Sequence, residues 1–141
     1  DTIGEALLTG EAEKIDPVAM HRLGPGRDLR HRDMQPLRDE LSRLAEHAQE
    51  RMRDLSGLIY PTTPVTAPRV EDVKTPSSAV EFTGRVLRIT RVANVFGLAA
   101  CSVPLPRPAG RLPIGVDIAT AGGTDRQCLA YAAAIHHAVS N

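Results

Sequence analysis

The chain has 141 residues, which is one domain's worth, and a compact chain of that size buries roughly two-thirds of its unfolded surface. Its 17 basic and 17 acidic side chains cancel, so no net charge draws it to nucleic acid or to an anionic membrane surface. No apolar run approaches the ~18 residues needed to span a bilayer, and the first residues show no basic segment followed by an apolar one, so a cytoplasmic protein is the expectation.

Residues Thr2 to Glu13 favour helix. Asp16-Pro17 reads as an N-cap followed by proline at the first helical position, opening a short helix that should reach Leu23, where Gly24-Pro25-Gly26 breaks it. Leu37, Leu41, Leu44, Ala48, Met52 and Leu55 then recur at steps of three and four, which puts them on one stripe of a long helix from about Met34 to Leu55. Its other face is charged. Asp39 and Arg43, four apart in the favourable order, should add a few tenths of a kcal/mol.

Gly57 ends that helix, and Leu58-Ile59-Tyr60 predicts a short buried strand before Pro61, Pro64 and Pro68 force extended geometry. Ser78-x-x-Glu81 has the form of a capping box for a helix running to Phe96. Phe82, Val86, Ile89, Ala93 and Phe96 form its apolar face, and Gly97 suits the left-handed residue just past its end. Ala99 to Val103 and Ile114 to Ala119 are the next strands, the first apolar enough on both faces to be buried within a sheet. Thr124-x-x-Gln127 repeats the capping pattern ahead of a last helix whose Cys128, Ala132, Ile135 and Val139 share a face. The order strand, helix, strand, strand, helix predicts an α/β layer arrangement, with residues 1–56 mostly helical and 57–141 an α/β segment. Aromatic residues are only 3% of the chain, with no Trp. That is thin for a self-contained core and suits part of a larger one.

Candidate chemistry is sparse. Lys74-Thr75-Pro76-Ser77-Ser78 combines a lysine with two serines, but a serine nucleophile needs its lysine across a pocket and desolvated. Here Pro76 intervenes and no glycine frame surrounds the serines, so Ser78 reads as a helix cap. The other lysine, Lys14, lies between Glu13 and Ile15 as a solvated charge. His21, His31 and His47 are scattered among charged residues, and the adjacent His136 and His137 point about 100° apart on a helix, so no metal site is expected. Cys101 and Cys128 both sit in apolar runs and read as free thiols. Gly122-Gly123-Thr124 suits either an anion held at a helix start or an ordinary turn and cap. Arg85, Arg88 and Arg91 line the polar side of the helix before Asn94.

Five pieces occur in a particular order: Tyr60-Pro61-Thr62-Thr63-Pro64, Asn94-x-x-Gly97-Leu98, Ser102-Val103-Pro104, Leu112-Pro113-Ile114-Gly115-Val116, and a closing helix after Gly122-Gly123-Thr124-Asp125. Together they resemble the C-terminal end of the amidase signature family. Ala99 stands where that family usually has proline, and Asp117 where glutamine is common. With the looser match from Ala12 to Arg53, the chain is similar to roughly the last third of a family member. The resemblance implies an α/β fold with a partial mixed sheet and flanking helices over 1–141. It also implies hydrolysis of a carboxamide through a Ser-cis-Ser-Lys triad that lies outside this sequence, so this chain is expected to hold no catalytic residue, metal or cofactor and to be inactive by itself. In family members the helix before the Asn94 turn approaches the substrate cleft, which makes Leu87, Arg91 and Asn94 the expected contacts to a small-molecule amide in the full enzyme, although Asn94 also suits satisfying loop backbone groups. An isolated C-terminal portion is expected to form homo-oligomers. The alternative is a non-catalytic α/β scaffold or interaction module derived from such an enzyme.

Overall fold

The computed structural model describes residues 15–27, 29 and 33–140. The elements are α1 (Pro17–Arg27), α2 (Gln35–Met52), β1 (Leu58–Pro61), a 3-10 turn (Val70–Val73), α3 (Pro76–Phe96), β2 (Ala99–Pro104), β3 (Gly115–Thr120) and α4 (Asp125–Ser140). The helix expected over Thr2 to Glu13, Lys14 and His31 lie outside the described residues. The chain divides into two compact units, one of Asp1–Asp33 with Pro68–Gly84 and one of Met34–Ala67 with Arg85–Asn141. No helix among the described residues is long and apolar enough to cross a membrane.

In the first unit, both helix starts are set by side-chain caps. The Asp16 carboxylate accepts the Val18 and Ala19 N–H groups at 2.9 and 3.2 Å, satisfying two of the donors that a helix start leaves orphaned. α1 does not stop at Leu23 but continues to Arg27 with Pro25 inside it. A proline this close to a helix end removes one rung, and its fixed φ is itself helical. At the start of α3 the capping box is one turn earlier than Ser78-x-x-Glu81: the Ser78 N–H donates to Thr75 Oγ1 at 3.1 Å, and the Thr75 N–H donates to Ser78 Oγ at 3.2 Å. Pro76 explains the shift, because proline favours the first helical position and pushes the residue before it out of helical geometry.

In the second unit, three strands pair in the order β1-β3-β2. Both ladders are antiparallel, with Tyr60 and Ser102 each opposite Asp117, so none of the parallel pairing of a mixed sheet lies among these strands. The α/β class is the one expected. β3 is central and buries Asp117, Ile118, Ala119 and Thr120 in succession. On one sheet face Ala99, Val103 and Ile118 pack with Cys128 and Ala132 of α4, and Tyr131 and Ile135 close the cluster. The expected face of α4 is therefore the one that is buried.

The flanking strands are less covered than their composition predicts. Ile59 of β1 is 64% exposed, so β1 is not buried. β2 buries Ala99 and Val103 while Ala100, Ser102 and Pro104 are exposed. Among the described residues each has a neighbouring strand on one side only, whereas β3 is flanked on both, and central position rather than composition decides burial. The expected long helix ends at Met52, with Leu55 held beyond it by a turn to the Met52 carbonyl. Met52 is buried, but Leu37, Leu41 and Leu44 are 41 to 51% exposed. Arg43 pairs with Glu40 and Asp39 instead accepts the Gln35 amide at 2.8 Å, because three-residue spacing serves this helix as well as four.

Candidate functional site

Leu87, Arg91 and Asn94 lie on α3 at spacings of four and three, and so share one face of the helix. Leu87 is half-buried, and Arg91 and Asn94 are exposed. The helix is stopped directly after them: Gly97 takes φ +62° and the Leu98 N–H reaches back to the Ala93 carbonyl at 2.9 Å, the six-to-one bond of a glycine C-cap. The loop backbone that Asn94 was a candidate to satisfy is served by Gln49 instead. Its amide nitrogen donates to the Phe96 and Gly97 carbonyls at 2.8 and 3.0 Å, and its amide oxygen accepts the Gly122 N–H at 3.0 Å. Among the described residues the Asn94 side chain makes no hydrogen bond, which leaves its carboxamide available. Nothing in the sequence distinguishes Gln49 from the other polar residues of α2.

The other candidates resolve toward structure. The Ser78 hydroxyl is engaged at the α3 start, donating to the Thr75 carbonyl at 3.0 Å and meeting the Thr75 hydroxyl at 2.9 Å. Lys74 and Ser77 are exposed, so neither has the desolvated setting a neutral lysine base requires. Gly122 gives its N–H to Gln49, and the Thr124 hydroxyl donates to the Ala121 carbonyl at 2.6 Å and meets the Thr120 hydroxyl at 2.7 Å. That segment forms the turn ahead of α4. It lacks the expected capping box, because the Thr124 N–H bonds Ala121 and Gln127 turns to the Tyr131 hydroxyl at 2.7 Å. His136 and His137 are exposed, and no three metal-ligating side chains cluster among the described residues. Cys101 and Cys128 are free thiols.

A second polar constellation, outside the sequence expectations, crosses the sheet on the face opposite α4. Tyr60, Asp117 and Ser102 stand level on the three strands. Thr62, just past β1, bridges two of them, donating to Asp117 Oδ1 at 2.6 Å and meeting Ser102 Oγ at 2.6 Å. Gly115 makes this possible, since a methyl group there would lie 2.9 Å from Thr62 Oγ1 and 3.2 Å from the Val103 carbonyl oxygen. The Tyr60 hydroxyl is buried and has no hydrogen-bond partner among the described residues. Burial, then the nearby Asp117 and Cys128, push its pKa up. Burial chiefly also raises the Cys128 thiol, which lies between the Ala99 and Ile118 carbonyls at 3.5 and 3.4 Å. In the sequence Tyr60, Thr62 and Ser102 stand out only as parts of the ordered pieces, and Asp117 as a departure from glutamine; nothing there joins them. The partners came together through strand register, which local pattern does not encode.

Comparison with known proteins gives this geometry a context. The amidase family model matches residues 12–129. The chain is 26% identical over 108 residues to a 2-amino-5-chloromuconic acid deaminase of Comamonas testosteroni, a match that covers 77% of this chain and 23% of that protein. It is 30% identical over 95 residues to fatty acid amide hydrolases of Medicago truncatula and Arabidopsis thaliana, covering 66% of this chain and 16% of each of them. A crystal structure of an amidase superposes with a TM-score of 0.73 at 19% identity, over 98% of this chain and 32% of that one. The chain thus spans under a quarter of the length of these curated relatives.

Proposed function

The chain belongs to the amidase family, and from that premise we propose that it is the C-terminal portion of an enzyme that hydrolyses a carboxamide C–N bond. In this reading a serine oxygen supplied by the rest of the enzyme adds to the amide carbonyl, the C–N bond breaks, the nitrogen leaves with a proton, and water then cleaves the ester. Backbone N–H groups hold the oxyanion that forms on the way. This chain contributes sheet, flanking helices and one wall of the cleft, and it performs no catalysis alone.

The observation that supports the reading is the family match over residues 12–129, joined to a Ser78 hydroxyl that is occupied in a helix cap. Leu87, Arg91 and Asn94 form the wall. Leu87 offers apolar contact, Arg91 a planar cation that grips carboxylate or carbonyl oxygen, and Asn94 a carboxamide that both donates and accepts. A cytoplasmic location and self-association of the isolated chain complete the reading, the latter supported by the exposed leucines of α2. The scaffold alternative draws its support from the core that α4 and the sheet form between themselves.

The test is amide hydrolysis by the protein encoded in the full reading frame that contains this chain, set against the 141 residues alone. Activity in the first and none in the second is expected. Activity in the 141 residues alone overturns the proposal, and a reading frame with no Gly/Ser-rich segment and upstream lysine puts the scaffold alternative in its place.

A further inference from the structure

The hydroxyl chain across the sheet has a fixed direction. Thr62 Oγ1 donates to Asp117 Oδ1 at 2.6 Å, and a carboxylate has only acceptor positions, so the single Thr62 proton is committed to it. Thr62 Oγ1 therefore has only lone pairs left for Ser102. Two hydroxyl oxygens 2.6 Å apart must share a proton, so that proton belongs to Ser102. Ser102 thus turns its one proton inward and shows lone pairs outward. The chain runs from an exposed oxygen through the half-buried Thr62 to a carboxylate that is 8% exposed.

We propose that Ser102 Oγ is an acceptor-only recognition point for a nitrogen-bound hydrogen-bond donor, foremost a primary ammonium group on a short hydrocarbon. Three features select that chemistry. A ligand oxygen without a proton meets only lone pairs and is repelled. The buried charge two bonds inward polarises the chain and favours a cation, an effect that low local dielectric strengthens. Ala100 and Pro104, two residues away on either side along β2 and on the same face, are exposed and give hydrocarbon a place to lie. Asp117 is the positioning residue, acting through Thr62. An amide in place of the Asp117 carboxylate has N–H donors as well as an acceptor; with a donor turned to Thr62 the chain reverses and the Ser102 proton points outward. The point is independent of the amidase reading, since it uses only residues of β2, β3 and the end of β1.

The experiment is an NMR titration of the isotope-labelled 141-residue chain with n-butylammonium, butyramide and butyrate at equal ionic strength, followed through the Ser102 and Thr62 signals. Butylammonium is expected to shift Ser102 saturably, butyramide to do so several-fold more weakly, and butyrate not at all. Asp117→Asn should weaken butylammonium binding several-fold, with the rest of the amide spectrum in place. No shift by butylammonium, an equal shift by butyrate, or unchanged binding in a folded Asp117→Asn overturns the proposal. Should Asp117→Asn fail to fold, Ser102→Ala serves, since it removes an exposed hydroxyl. Loss of the butylammonium shift at Thr62 supports the site, and its persistence overturns it.

Discussion

A handful of single atoms set the limits of this structure. Gly97 sits at φ +62°, a region a β-branched side chain avoids, so Gly97→Val is expected to destabilise by more than about 1 kcal/mol. A chemical denaturation midpoint reads this directly, and an unchanged midpoint would show that the turn tolerates a side chain. Gly115→Ala has a different cause, crowding: its methyl would stand 2.9 Å from Thr62 Oγ1. Protons exchanging at Thr62 should lose protection in that variant. Tyr60 and Cys128 give stability a dependence on pH at the alkaline end. Both pKa values are raised in the folded state, from ordinary values near 10.0 and 9.0, because burial penalises the charged form. Their contribution to stability is thus complete below those ordinary values and is lost as the pH rises through the raised ones. Melting temperature should fall above about pH 9, and the fall should be shallower in Cys128→Ala compared with its own value at pH 7.

At the scale of elements, what was legible in the sequence is what local physics decides. The Asp16 cap, the Gly97 stop and the apolar face of α4 follow from spacing and from the needs of orphan backbone groups, and each is where those needs place it. Boundaries near proline were harder to read, because Pro25 is absorbed near a helix end and Pro76 moves a capping box by one turn. Strand burial was not legible. It depends on which strand is central, and a composition as apolar as that of Ala99 to Val103 does not say so. Of the candidate site, the shared face of Leu87, Arg91 and Asn94 follows from helical period. The Gln49 tie and the Ser102, Thr62 and Asp117 chain join residues 40 to 73 positions apart, and no local signal predicts them. Ile118 tests the element-level account, since it joins the sheet to α4 from the central strand at 4% exposure. Ile118→Ala should cost about 2–5 kcal/mol, the range for a large residue lost from a packed core. A loss under about 1 kcal/mol, small for any point substitution, would mean that the cluster does not carry the second unit.

For the whole molecule, two expectations belong to the proposed reading of a chain whose curated relatives are more than four times as long as the matched part. The first is association. Among the described residues β1 and β2 each have an unpaired edge, and the α2 leucines are exposed; such edges and faces readily find other chains. Light scattering at micromolar concentration should show a mass above that of one chain, whereas a monodisperse monomer with a cooperative melt would favour the self-contained scaffold. The second expectation is catalytic silence, and it tests the proposal that this chain supplies structure and a cleft wall to chemistry performed by the rest of an enzyme. The direct measurement is intact and peptide mass spectrometry of the 141-residue chain after exposure to a serine-directed fluorophosphonate. No serine, Ser77, Ser78 and Ser102 included, should be modified beyond the level of the heat-denatured chain. Stoichiometric modification of any one serine in the folded chain, absent after denaturation, would contradict the account.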